Sequence, residues 1–301
     1  MKENKMQEIK PIIVIGMNRS GTKWLSNILC NHPDVVGVQS EKACGIHESI
    51  ILNGTMEKKF DITYPEDYVA AIELLALSRF FDIARGSKEY FYRLNPRPTC
   101  LYDVFKILME NFALCEGKKF WLQKTEPRSA TKVMDYFKEG YFIVIRRNIV
   151  DTLKSTMKMA SNVYNRQSLA RAIYFYVLRD KILDKICNRK RNVMCVRYEE
   201  LVRDPEAVVS GICKFIGINF NPSMLEVRFR KNTSFGSSGE KVTFFSETDK
   251  MLIRTVSSIM QIIPFFAMNW MVEMWGRMRG VIHPFRSGTY KHILEKYSEQ
   301  Q

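Results

Sequence analysis

The segment that most restricts this chain is Pro11-Ile-Ile-Val-Ile-Gly16-Met-Asn-Arg19-Ser20-Gly21-Thr22-Lys23-Trp24-Leu25. A β-branched run enters a tight turn and leaves as a helical pattern. Buried strands of this kind need a sheet covered on both faces. The turn sets a helix N-terminus at the end of the strand, where free backbone N–H groups and a positive dipole end suit a phosphate. Gly16 and Gly21 let the backbone approach such a ligand closely. Ser20 and Thr22 add hydroxyl donors, and Arg19 and Lys23 add charge.

The rest of the chain repeats the alternation. Ile12–Ile15, Phe120–Gln123, Tyr141–Ile145 and Val193–Val196 are short apolar runs that read as buried strands. Helical patterns cover Thr22–Cys30, Pro65–Ala84, Ile149–Met159, Ser168–Ile186 and Pro205–Ile216. Strands alternating with helices predict an α/β fold around a parallel sheet. The 301 residues contain no internal repeat and no low-complexity linker. One domain is expected over 1–301, with a core over about 10–250 and a C-terminal helical extension over about 250–301.

Gly16 and Gly21 have the spacing of a nucleoside-triphosphatase loop, G-x-x-x-x-G-K-[ST], but Thr22-Lys23 follows instead of Lys and a hydroxyl residue. The hydroxyl that would hold Mg²⁺ is displaced. The strand Tyr141–Ile145 runs into Arg146-Arg147, where a metal-holding Asp would stand. No metal is therefore expected, and a P-loop kinase or nucleotide hydrolase is the alternative. Arg147 and Ser155 lie eight residues apart across the start of a helix, so both can reach one phosphate.

Arg19-Ser20-Gly21-Thr22-Lys23-Trp24 resembles the 5′-phosphosulfate loop of the sulfotransferases that use 3′-phosphoadenosine 5′-phosphosulfate (PAPS). Lys23 replaces that loop's common second Thr. Arg147-Asn148-Ile149-Val150-Asp151 through Ser155 is similar to the family's 3′-phosphate motif, with Ile149 in place of Pro. Tyr198-Glu199-Glu200-Leu201 and Thr233-Ser234-Phe235 resemble its segments beside the adenine. The family's third phosphate clamp, R-K-G, has no counterpart, and Lys241 is the substitute considered. The resemblance spans roughly residues 10–235. It implies a three-layer, P-loop NTPase-like fold, PAPS as co-substrate and sulfuryl transfer to a hydroxyl or amine. It also implies donor contacts from Arg19 to Trp24 and from Arg147, Ser155, Tyr198, Thr233 and Phe235.

In-line transfer needs a cation for the leaving phosphate and a base for the acceptor proton. Arg19 fits the first role. Lys124-Thr125-Glu126-Pro127 resembles the family's K-T-H-x-P segment, which implies Lys124 as a sulfuryl-oxygen ligand. Glu41 is the expected base by resemblance to branches with a Glu after the phosphate-loop helix. Glu48, Glu126 and His47 are the alternatives.

A net charge of +14 favours anionic partners. No nucleic-acid motif accompanies it, so a nucleic-acid partner is not expected. Seven cysteines without a CxxC pair argue against a disulfide framework or zinc site. The opening MKENKMQEIK lacks a signal-peptide core, and cytoplasmic residence is expected. Thr255–Val272 is uncharged but holds Pro264 and several polar residues. Buried or cleft-lining helices, peripheral membrane contact and a span all remain open for it. The acceptor is expected to be bulky and amphipathic, of the carbohydrate or lipid-linked kind, met by residues 41–97 and the C-terminal extension.

Overall fold

The computed structural model describes residues 9–163, 169–189, 192–226 and 245–278, apart from residues 55 and 58. The chain opens with β1 (Lys10–Gly16), α1 (Thr22–Cys30), β2 (Val35–Gly37) and a small hairpin of β3 (Gln39–Ser40) and β4 (Gly45–Ile46). Helices α2 (Pro65–Ala76), α3 (Arg79–Ile83), α4 (Lys88–Arg93) and α5 (Leu101–Cys115) precede β5 (Phe120–Thr125) and α6 (Pro127–Tyr136). Next come β6 (Tyr141–Arg146), α7 (Ile149–Val163), α8 (Leu169–Cys187), β7 (Val193–Arg197), α9 (Tyr198–Arg203) and α10 (Pro205–Ile216). The last described elements are α11 (Glu247–Ile262) and α12 (Phe265–Met278).

Five strands form a parallel sheet in the order β2-β5-β1-β6-β7. The α/β fold expected from the sequence is the one observed. β1 is central, with Ile13 registered against Gln123 on one side and Phe142 on the other. Strand periodicity sends alternate residues to opposite faces. Ile13, Ile15, Trp121, Phe142 and Val144 pack under α2, α5, α6 and the end of α8. Ile12, Val14, Leu122, Ile143 and Ile145 pack under α1 and α10. Two buried faces explain why these strands read as unbroken apolar runs. A further cluster joins α7 and α8 to α11 and α12 through Leu153, Ile173, Val177, Ile253 and Met268.

Two expectations change. The helix read over Pro65–Ala84 is two helices, because Ser78 starts α3 by accepting from the Phe81 N–H. Cys187 and Cys195 form a disulfide, whereas the sequence argued against disulfides. The turn out of α8 into β7 brings their Cα atoms to 6.1 Å, which their spacing alone does not reveal.

The uncharged C-terminal stretch falls on α11 and α12. Its inner side packs into the third cluster, while Ile259, Ile262, Phe266 and Trp270 are exposed. Among the described residues no single helix is long and apolar enough to cross a membrane. Glu247–Ile262 and Phe265–Val272 together have the length and composition, but the pair is bent by 104°.

Candidate active site

The loop between β1 and α1 is built by backbone geometry. Arg19 has φ 70° and Gly21 has φ 96°, both left-handed. The Ser20 N–H and hydroxyl both donate to the Met17 carbonyl, at 3.1 and 2.7 Å. Gly21 then caps α1 at its N-terminus. A Cβ at Gly21 would lie 2.4 Å from the Tyr198 ring, so only glycine fits there. Backbone N–H groups at the start of α1 therefore face the carboxyl end of the sheet, the usual ligand edge of open α/β folds.

The second motif arrives at the same place. Arg147 follows β6 and donates through Nη1 to the Arg19 carbonyl at 2.9 Å. Ser155, on α7, accepts from Arg19 Nε at 2.9 Å. Residues 136 positions apart in the chain thus touch. Tyr176 on α8 holds the Arg147 carbonyl with its hydroxyl at 2.7 Å. The Arg147 guanidinium lies over the Tyr198 ring at 4.3 Å, and Tyr198 meets Trp24 edge-on at 6.0 Å. Burial and the neighbouring Arg147 both lower the Arg19 pKa. An anion bound beside two neighbouring guanidinium groups would relieve their mutual repulsion. Arg147 Nε is buried with no acceptor among the described residues, as expected of a donor kept for a ligand.

Arg146, the neighbour in sequence, does something else. It donates to Asp180 and Asp184 on α8, at 2.7 and 2.5 Å, and clamps that helix to β6. Period-two alternation sends one arginine of the pair to structure and the other to the site.

On the opposite side of the loop a narrow recess is lined by Gly16, Asn18, Thr22, Glu48, Lys124 and Glu126. Lys124 Nζ donates to Glu48 Oε1 at 2.5 Å. Burial pushes the Glu48 carboxyl up, but Lys124 and Lys23 outweigh it and hold the group below its ordinary value. Lys23 donates to the Ala43 carbonyl at 2.8 Å, tying α1 to the β3–β4 turn. Its pKa is lowered by burial and by Lys124. Glu41 sits in that exposed turn and is absent from the recess lining. His47 shares a hydrogen with the Ser40 hydroxyl at 2.6 Å, and burial, then Arg79 and Lys23, lower its pKa. Glu126 lies 3.5 Å from the Asn18 amide and 4.0 Å from Arg179. Thr233, Phe235 and Lys241 fall outside the described residues. Asn18, Tyr176 and Arg179 carry no local sequence signal that marks them as site residues.

A sequence model of the sulfotransferase family matches residues 11–222. The chain belongs to the sulfotransferase family. The match includes the β1–α1 loop and the Arg147–Ser155 segment, the two motifs that meet around Arg19. No curated protein matches. Among solved structures, the sulfotransferase domain from the curacin biosynthetic pathway superimposes with a TM-score of 0.50 at 14% identity, covering 97% of this chain and 98% of that one. The sulfotransferase domain of the Synechococcus PCC 7002 olefin synthase gives 0.51 at 15% identity, covering 84% and 96%. At these identities the likeness concerns the fold, and it agrees with the three-layer sulfotransferase architecture.

Proposed function

We propose that this sulfotransferase takes PAPS as donor and transfers its sulfuryl group in line to an acceptor hydroxyl or amine without metal. The observation that carries this is the contact of Arg19 with both Ser155 and Arg147, which joins a 5′-phosphate loop to a candidate 3′-phosphate site. The adenine would lie against Tyr198 and Trp24. The acceptor oxygen or nitrogen forms a bond to sulfur as the bond from sulfur to the 5′-phosphate oxygen breaks. The product nucleotide is adenosine 3′,5′-bisphosphate, and its new negative charge falls beside Arg19 and the α1 N-terminus. Lys124 would hold a sulfuryl oxygen.

For the proton, the recess supports Glu48, which lies beside Lys124 and Thr22, over Glu41 in the exposed β3–β4 turn. The Glu48 carboxylate, ionised at neutral pH, accepts the proton that the acceptor loses. Calorimetry in EDTA tests the donor half. Adenosine 3′,5′-bisphosphate should bind, and better than AMP or ATP. An absolute Mg²⁺ requirement would favour the kinase or hydrolase alternative.

A membrane surface is the partner we propose for the C-terminal helices, as peripheral contact by a cytoplasmic enzyme. Its support is the exposed row Ile259, Ile262, Phe266 and Trp270. Lys181 and Lys185, which reach Gln261 and the Phe265 ring, stand beside it. Apolar side chains next to basic ones suit an anionic interface and a lipid-linked or amphipathic acceptor.

A further inference from the structure

A second cavity of about 380 Å³ opens beside the phosphate loop, between the start of α6, α7 and α8. It shares Asn18 with the recess that holds Glu48 and Lys124. Among the described residues its charged lining consists of Arg128, Arg171 and Arg179, with no carboxylate. Arg128 and Arg171 both lie over the Phe175 ring, at 5.2 and 5.5 Å. Among the described residues Arg179 has only a distant carboxylate, Glu126 at 4.0 Å. Its Nε is buried with no acceptor among the described residues. Burial lowers the Arg179 pKa, and Arg128 lowers it further. A charged donor left without an acceptor in a partly desolvated wall is costly unless a ligand completes it. The donor's phosphates already have candidate partners in Arg19, Arg147 and Ser155. Arg179 and Arg128 stand beyond them, past Asn18 from the recess where the acceptor would lose its proton.

We propose that this cavity receives an anionic group carried by the acceptor, a carboxylate, sulfate or phosphate, and so selects acidic acceptors. The proposal rests on the donor reading above for the placement of the transfer point. Arg179 and Arg128 pair with the anion, and the Phe175 ring packs on the part of the acceptor next to it. Thr152 and Thr156, one helical turn apart on α7, line the same wall but spend their hydroxyl hydrogens on the Asn148 and Thr152 carbonyls, at 2.9 and 2.8 Å, so the arginines are the donors left for the anion.

The test uses two fluorescent aryl alcohols of similar size, 6-hydroxynaphthalene-2-sulfonate and neutral 2-naphthol. Each is titrated into the full chain, free and saturated with adenosine 3′,5′-bisphosphate. The sulfonate should bind about ten-fold tighter or more, the equivalent of one charge-assisted contact. Arg179→Gln and Arg128→Gln should each reduce that preference, and together abolish it. Arg179→Lys should keep part of it. Affinity for the bisphosphate and the thermal midpoint should stay unchanged in all of them, which separates the effect from misfolding. Equal binding of the two probes, binding of neither, or a preference that survives the double substitution overturns the proposal. If the arginine substitutions instead abolish bisphosphate binding, the cavity belongs to the donor and the proposal is likewise overturned. If the wild type fails to bind the bisphosphate, the donor reading fails separately, while titration of the free protein still reports on the cavity.

Discussion

Arg19 and Arg147 share one neighbourhood but face different demands. Arg19 bonds to Ser155 and stands where charge would grow on a leaving phosphate. Arg147 lies over Tyr198 with a buried Nε that has no acceptor among the described residues, as suits a ground-state phosphate. Arg19→Ala should therefore lower kcat far more than it lowers bisphosphate affinity, since only interactions that strengthen in the transition state raise the rate. Arg147→Ala should do the reverse, costing about 1.5–3 kcal/mol of affinity and most of the discrimination between the bisphosphate and AMP. Calorimetry and steady-state kinetics on the same preparations separate the two. The base has its own signature. Lys124 and Lys23 keep Glu48 below the ordinary carboxylate pKa of 4.5 despite burial. As the proposed base, Glu48 would act in its ionised form, so kcat/KM should hold across neutral pH and fall only as pH drops below the usual carboxylate range. Were His47 the base, the acid limb would lie nearer its unperturbed 6.5, on the low side because burial depresses it. Arg19, Ser155 and Lys124 stand out in the sequence because each sits in a compact local pattern. The Glu48–Lys124 pair does not, because 76 positions separate its members and only the turn after β4 brings them together. Glu41 carried the better local pattern and lies in the exposed turn.

At the scale of elements, the β1–α1 loop depends on one missing methyl group. Gly21→Ala combines a left-handed φ of 96° with a contact of 2.4 Å to the Tyr198 ring. The loop must open or Tyr198 must leave, so the variant should lose bisphosphate binding and should not regain it at high ligand concentration. A folded Gly21→Ala protein with near wild-type affinity would show that the loop is not the phosphate site. Elements that bury two faces are legible: β1, β5 and β6 are apolar runs bounded by helices, whereas β7, read from the sequence as a buried strand, is the sheet edge and buries only Val196. β2 is not legible, since Val35–Gly37 is too short to show a period. The hairpin of β3 and β4 has two residues per strand and is held by the Asn27 side chain, which accepts from the Ile46 N–H at 2.9 Å. That is a tertiary contact with no trace in the local sequence. α5 was also not among the helical patterns read from the sequence, although its signal is local. Val104, Phe105, Leu108, Met109 and Phe112 are buried at helical spacing, a pattern that exposes the element once the full window is counted.

For the whole molecule, the proposed membrane contact draws on a net charge of +14 and an exposed apolar elbow. The enzyme should float with anionic liposomes at low salt and release as salt screens the attraction. Phe266→Ser with Trp270→Ser should reduce flotation while leaving bisphosphate affinity intact, because neither residue lines either cavity. A wild type that stays wholly with the aqueous fraction at low salt excludes the contact. The parallel sheet has a further consequence, set by its polarity. The loops after β1, β5 and β6 that bear Arg19, Glu126 and Arg147 all leave from one edge. The other end of β1, at Lys10, lies about 20 Å away, given roughly 3.3 Å per strand residue. A fluorophore attached at Lys10 itself, the first residue of β1, would therefore sit on the blind side of the sheet and report on the protein without crowding the cleft.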